Sequence, residues 1–387
     1  MKRIINLTVG AMCLLTSSLI AQSTTFSIGE LNPYVSEYIK PVALGMATGM
    51  GHGWSHRAQP HDTWGFDLSV SVVATAIPTS DQTFSISRLD DMTNDGYQFL
   101  SSDTDNPLSS SYMIPTAASP DVAGAYFSKD INPDPIEETL VEFNMLDGIM
   151  PEDLAYAPNF AVQLAFGLPK GTEFMLRLLP NVGPTITEMA GVEELTVDNF
   201  SLWGIGVKHD LKQWIPRLSN STFWEISALL AYSEFNFDVS VEDFSLNPDE
   251  LMGSSVMAHY TDINGDGSMP SSGTDFESLG FGMHMNALTG SIMIGADIPV
   301  IKPFIGLGFN KAFVSTGLTG QLPLVEYVDD DNVNVDFDPI GLNVEAGKTY
   351  MNFQAGLNIK ILILNIYAQY SYQQYSMISA GVSLGIE

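Results

Sequence analysis

Positive charge is scarce in this sequence. Lys and Arg number 15 against 45 Asp and Glu, a net charge of −30 at neutral pH. Nucleic acid is thereby excluded as a partner, because binding to a phosphate backbone rests on cations that this chain lacks. The same sign discourages docking on anionic surfaces unless divalent cations bridge the two. Cysteine is scarcer still, with Cys13 standing alone. No disulfide can form, so stability must come from a large, well-paired structure. Beyond the first 21 residues no apolar run reaches the ~18 residues that a membrane-spanning helix needs. The longest, "IKILILNIYAQY", is short and rich in β formers. Catalytic signatures are missing as well: there is no G-x-S-x-G, no H-E-x-x-H, no phosphate loop and no Cys site. The sequence therefore reads as a non-enzyme.

What is present begins with an export signal. "MKRIINLTVGAMCLLTSSLIAQS" has a basic start at Lys2 and Arg3 and an apolar stretch from Ile4 to Ile20. This pattern predicts a signal peptide over 1–21, cut after Ala21. Cys13 leaves with it. A lipoprotein reading is disfavoured, because Met12 is too large beside Cys13 and the apolar run continues past it.

The first strong pattern after the leader is "TWGFDLSVSVVATAIP", residues 63–78. Trp64, Phe66, Leu68, Val70, Val72, Ala74 and Ala76 share one parity. Gly65, Asp67, Ser69, Ser71 and Thr75 share the other, with Val73 the exception. Alternate strand side chains point to opposite faces, so this is a strand with one oily and one wet face. "FAVQLAFGLPKGTEFMLRLLP", "FSLWGIGVK", "TFWEISALLAYSEFNF", "ALTGSIMIGADIP", "PFIGLGFNKAF", "YMNFQAGLNIK", "ILILNIYAQYSYQ" and "MISAGVSLGIE" repeat the alternation. Short connections near 169–171, 209–221, 299–302 and 360 alternate with long ones at 79–158, 181–199, 239–277 and 316–348. The exception is a short turn near Gln374.

The four long loops hold 34 of the 45 acidic residues and three basic ones, Arg88, Lys129 and Lys348. Lys170, Lys208, Lys212, Arg217, Lys302 and Lys360 stand at or beside the short turns. A soluble two-sheet sandwich would alternate equally well, but has no reason to sort charge between its ends. The pattern predicts an all-β transmembrane antiparallel barrel of about 10–14 strands with long acidic outer loops. Tyr367, Tyr370, Tyr372 and Tyr375, with Trp203 and Trp224, are candidates for interfacial girdles.

Residues 22–61 differ from the rest and predict a plug or hatch, leaving 62–387 as the barrel. Asn32 reads as a helix N-cap with Pro33 at the first helical position, and Pro41 as the stop. The Gly-rich "ALGMATGMGHGWSH" after it reads as extended. A second helix is expected over "DPIEETLVEFNMLDG" (134–148), with Ile136, Leu140 and Phe143 on one face and Gly148 ending it.

"GHGWSHRAQPHDTWGFDLSVSVVATAIP", "GIGVKHDLKQWIP", "PFIGLGFNKAF" and the closing "SAGVSLGIE" together resemble a family of uncharacterised outer-membrane barrel proteins. That family is distantly similar to long-chain fatty acid transport barrels. The resemblance covers most of the chain and implies an outer-membrane barrel, but its motifs are structural and carry over no ligand residue. Many such barrels end in an aromatic residue read by the assembly machinery; here Ile386 and Glu387 stand last.

The best metal candidate is "DINGDGS". Asp262, Asn264, Asp266 and Ser268 stand at positions 1, 3, 5 and 7 of a calcium loop, with Gly267 at the sharp turn. Gly273 stands where a bidentate Glu belongs, so an acidic turn without metal is the competing reading. "DDDNVNVD" (329–336) has similar ligands and lacks the glycine. His52, His56 and His61 lie near Asp62 and Asp67, either as a polar cluster at a strand end or as a metal or catalytic group. Met145, Met150, Met283 and Met285 could line an adaptable apolar pocket or pack in a core. The function expected is a porin-like channel or transporter for small molecules, hydrophobic ones included. The alternative is a non-transporting surface barrel whose acidic loops bind Ca2+ or a partner. Expected partners are outer-membrane lipid, lipopolysaccharide, the barrel assembly machinery and a small, hydrophobic molecule, with the outer membrane of a Gram-negative bacterium as location.

Overall fold

A computed structural model of the chain describes residues 31–130, 140–151, 155–190, 195–241, 279–319, 321–329, 332–339 and 342–386. Helix α1 (Asn32–Met50) precedes strand β1 (Phe66–Ala76). Between β1 and β7 (Tyr156–Leu168) lies a small cap. It holds β2 (Thr83–Ser85), α2 (Asp90–Asn94), β3 (Tyr97–Ser101), β4 (Met113–Pro115), β5 (Ala125–Asp130) and β6 (Leu140–Asn144). Then follow β8 (Thr172–Leu179), α3 (Gly183–Ala190), β9 (Leu195–Asp210), β10 (Trp224–Val241), β11 (Leu279–Ala296) and β12 (Ile301–Thr319). The last elements are β13 (Gln321–Asp329), β14 (Asn332–Pro339), β15 (Leu342–Ile361), β16 (Leu364–Tyr372) and β17 (Met377–Ile386).

Ten of these strands, β1, β7–β12 and β15–β17, pair antiparallel into one closed barrel. The first strand meets the last, in register from Phe66↔Ile386 to Thr75↔Met377, so no edge is left open. Ten sits at the lower bound of the strand count expected from sequence, because 279–296 is one strand and 43–50 is helix. The short connections (169–171, 211–223, 297–300 and 362–363) share one end. The long ones share the other, together with the short turn at 373–376. Lys170 and Gly171 both take φ of 66°, the left-handed backbone that a tight hairpin turn requires.

The oily parity faces out. Phe66, Leu68, Val70 and Val72 are 44–61% exposed, whereas Asp67, Ser69, Ser71 and Thr75 are buried inside. The same inversion runs around the wall, with Ile305, Leu307, Ile378, Val382 and Leu384 outward and Asn310, Asn358, Gln369 and Ser379 inward. Tyr370, Tyr372, Trp203 and Trp224 point outward, but Tyr367 and Tyr375 are buried and leave the expected girdle.

Two helix expectations need correction, and a third shifts by one residue: the N-cap is Leu31, without a side-chain capping bond, and Asn32 is already helical. Pro41 does not stop α1, which continues for nine residues to Met50. The Gly-rich stretch after it is helical as far as Met50 rather than extended, and its glycines are spacers that let the helix lie against the wall. A Cβ built on Gly45 would stand 2.9 Å from the Ala157 Cβ, and one on Gly49 would collide with Asn159 and Thr75. Side chains buried along this contact (Ala43, Leu44, Ala47, Met50) form a core with Ile77, Leu202, Met285 and Ala312 of the wall. Close packing of that kind offsets the low helix propensity of Gly. The second correction is β6. Residues 140–144 are a strand paired with β5 from Tyr126↔Asn144 to Asp130↔Leu140, so the 134–148 helix is not formed there. Local periodicity lost to an available strand edge. Residues 131–139 lie outside the described residues.

Phe84, Ile86, Leu89, Met92, Phe99, Ile114 and Phe127 make the cap's own core. Leu31 and Tyr34, at the start of α1, belong to that core. The helix therefore begins at the long-loop end and descends.

Candidate functional site

The descent can be followed level by level. Near the top, Asn159 Nδ2 donates to the Met46 carbonyl at 3.0 Å, and Asn310 Nδ2 to that of Thr48 at 2.6 Å. Both donors are inward residues of β7 and β12. Below Met50 the chain leaves the helix and turns across the interior.

Arg177 of β8 meets it there. Its Nη1 donates to the Met50 carbonyl and its Nη2 to that of His52, both at 2.8 Å. Its Nε donates to Gln163 Oε1 at 3.0 Å, and Gln163 in turn donates to the Trp54 carbonyl at 3.0 Å. The Trp54 ring lies 4.0 Å from the guanidinium carbon, a cation–π contact in a dry setting. That ring fits because Gly204 and Gly206 of β9 leave it room; a Cβ on either would stand within 3.1 Å of it. Arg177 is 2% exposed, and these bonds go to carbonyl and amide oxygens rather than to a carboxylate.

Nearer the short-turn end the contacts become ionic. Lys208 Nζ sits 3.0 Å from Glu173 Oε1 and donates to Ser55 Oγ at 2.9 Å. Glu173 Oε2 accepts the His61 backbone N–H at 2.8 Å and lies 2.8 Å from His61 Nδ1. Asp67 Oδ2 lies 3.2 Å from His56 Nε2 and 3.5 Å from His61 Nε2, and accepts from Ser383 Oγ at 3.2 Å. The His56 ring stacks on Tyr367 at 4.7 Å. Asp67, Glu173, Lys208, His56, His61 and Arg57 are all buried. A ring of charges from β1, β8 and β9 thus grips residues 55–61.

The chemistry of this arrangement is holding. Opposite charges neutralise one another in a low-dielectric space, and breaking one pair would strand its partner there. Of the histidine cluster read from sequence, His56 and His61 do converge on Asp67, whereas Asp62 is exposed at the turn. Glu173, Arg177 and Lys208 were not singled out from sequence as members of a site. The signal was available: each stands on the inward parity of its strand, where a charge has no solvent and needs a partner. The calcium-loop residues Asp262, Asn264, Asp266 and Ser268 lie outside the described residues. Among the described residues no cluster of three metal-ligating side chains is arranged to hold an ion. Met145, Met283 and Met285 are core residues rather than the lining of a pocket.

A model described as a family of unknown function (DUF6588) matches residues 1–386. The chain belongs to that family. No curated protein matches it. Among solved structures, this DUF6588 chain is similar to the translocator domain of autotransporter NalP from Neisseria meningitidis. The identity is 10% and the TM-score 0.27, over 84% of this chain and 90% of that one. It is also similar to the CymD monoaromatic hydrocarbon channel, with 9% identity and a TM-score of 0.22 over 94% of both chains.

The buried histidines give the DUF6588 interior a pH dependence. Burial, then the nearby Arg177 charge, push the His52 imidazole from its ordinary 6.5 down to about 3. Burial also lowers His56, against the opposing pull of Asp67. Both therefore favour the neutral form in the buried position and bind protons more readily when released. Below pH 6.5 the released state binds more protons, so seating weakens as pH falls from about 6.5 toward 3. Melting temperature should drop across that window, and His52→Leu should flatten the drop. An unchanged slope in that variant would remove His52 as a cause.

Proposed function

We propose that this chain is an outer-membrane barrel working as a gated channel or transporter for small molecules, with the 22–61 segment as its plug. One observation carries the reading: the barrel is inverted, apolar outside and polar inside, and its interior is filled by a segment bonded to the wall through side chains. A bilayer is the solvent that suits an exposed apolar belt, and strands of 9–11 residues, like the 11-residue β1, suit its thickness. The leader at 1–21 supplies export, the acidic loops face outward, and the short turns face the periplasm. Lipid, lipopolysaccharide and the barrel assembly machinery are then the partners. The spacing of Asp262, Asn264, Asp266 and Ser268 supports calcium as a ligand of the outer loops. The polar interior favours polar cargo over the apolar cargo that the methionines suggested.

The absence of cysteine after Cys13 makes a direct test clean. Gly45→Cys with Ala157→Cys places two thiols where the Cβ atoms nearly touch, close enough to bridge after a small shift. In planar bilayers the oxidised protein should stay silent and the reduced protein should open intermittently. Equal behaviour in both states would overturn the gate. Silence in both would favour the non-transporting surface barrel.

A further inference from the structure

A cavity of about 420 Å³ opens at the long-loop end, between α1, the cap and the start of β15. Glu37 and Lys40 face it from α1, Asp81 and Arg88 from the cap, and Glu345 and Lys348 from β15. Tyr375, from the turn before β17, closes one side.

The cations are the unusual part. The loops of this end are acidic, and over 79–158, 181–199, 239–277 and 316–348 their basic residues are Arg88, Lys129 and Lys348. Two of those three line this cavity, joined by Lys40 from α1. Residues far apart in sequence have brought rare positive charge to one place.

The charges do not cancel pairwise. Glu37 takes both Lys40 and Arg88 at 2.8 Å, one on each carboxylate oxygen, and that trio keeps a net positive charge. Lys348 donates to the neutral Gln374 amide oxygen at 3.0 Å. Asp81 accepts from neutral groups, the Tyr375 hydroxyl at 2.7 Å and the Gln374 amide at 3.4 Å. Glu345 is exposed. Positive poles at Arg88 and Lys348 and negative poles at Asp81 and Glu345 therefore border one small volume. A lone anion would meet the carboxylates, and a lone cation the Lys and Arg side chains. A molecule carrying both charges satisfies both sets.

We infer that this cavity binds a small zwitterion with one carboxylate and one ammonium group, of amino-acid to dipeptide size. Its volume lies at the low end for small-molecule sites. The inference rests on the channel reading for its purpose, capture of cargo at the mouth above the plug, but not for its test.

The test is calorimetric titration of the full chain in detergent with alanyl-alanine, N-acetyl-alanine and alaninamide. The dipeptide carries both charges at neutral pH and each analogue one. Alanyl-alanine should bind, and each analogue should bind at least about tenfold more weakly, the loss expected for one charged hydrogen bond. Lys348→Gln and Asp81→Asn should each weaken the dipeptide about tenfold. A folded barrel in each variant is shown by a band that migrates faster unheated than boiled. If Asp81→Asn fails to fold, Lys348→Gln carries the test. Absence of binding, equal binding of all three compounds, or full affinity in Lys348→Gln would overturn the assignment. Binding by a protein whose reduced cysteine pair stays silent would overturn the channel reading and leave the cavity standing. Conductance without binding would do the reverse.

Discussion

Replacing Arg177 by methionine should release residues 50–62 from the barrel wall and leave the ten-strand sheet intact. The variant keeps a long unbranched side chain against Trp54 but removes the donors to Met50, His52 and Gln163. Bonds from a charged donor contribute about 1.5–3 kcal/mol each, and the carbonyls left behind lose their partner in a dry interior. A net loss of roughly 3–5 kcal/mol in seating is the scale to expect. With a factor of ten for every ~1.4 kcal/mol, the released fraction should rise at least a hundredfold, until it saturates, and under the proposed channel function open probability rises with it. The measurement is single-channel recording beside a protease digest that reports on residues 51–62. The backbone ladders of the barrel do not involve Arg177's side chain, whose one bond between strands is to Gln163, so the faster-migrating unheated band should persist. A variant as silent and as protected as the parent would show that Arg177 does not hold residues 50–62 in place.

Glu173→Ala should cost a similar amount, read as global stability. It strands Lys208, which is 1% exposed, and frees the backbone N–H and ring of His61. Removing one partner of a buried pair costs about 3–5 kcal/mol, mostly from the charge left behind. Chemical unfolding should show that loss, and Glu173→Leu with Lys208→Met should recover most of it. Recovery is the informative arm, because an apolar pair of similar volume has no uncompensated charge. A double variant as unstable as Glu173→Ala would locate the loss in the His61 contacts instead. Arg177 and Glu173 both come from the eight-residue β8, so one short strand grips residues 50–61 at two depths.

Much of the barrel was legible because its physics is periodic. Phe66 to Ala76 announces a two-faced strand, and the loop asymmetry and charge sorting tell which face goes where. The count of ten was less so, since a long strand such as β11 and a hairpin share the same alternation. Pro41 and the glycines after it misled for a definite reason. Helix signals are written for a helix in water, whereas Gly45 and Gly49 answer to the wall they touch. Leu140–Asn144 misled likewise, because a neighbouring strand edge outranked its local period. In the site, His56 and His61 beside Asp67 were visible as a cluster. Glu173, Arg177 and Lys208 were read with the turns or passed over, because their burial depends on what fills the barrel, and alternation does not reveal an occupant.

The start of α1 lies in the cap core with Phe84 and Phe127, while β1 begins at the opposite end. The polypeptide is thus threaded once through a hoop made of its own later residues. A hoop closed first could accept that thread only by passing the leading segment along its whole length. The seam between β1 and β17 is also the pairing most distant in sequence, and so the slowest to find. Both facts order assembly the same way: the wall is drawn around the thread, and the seam is fastened last.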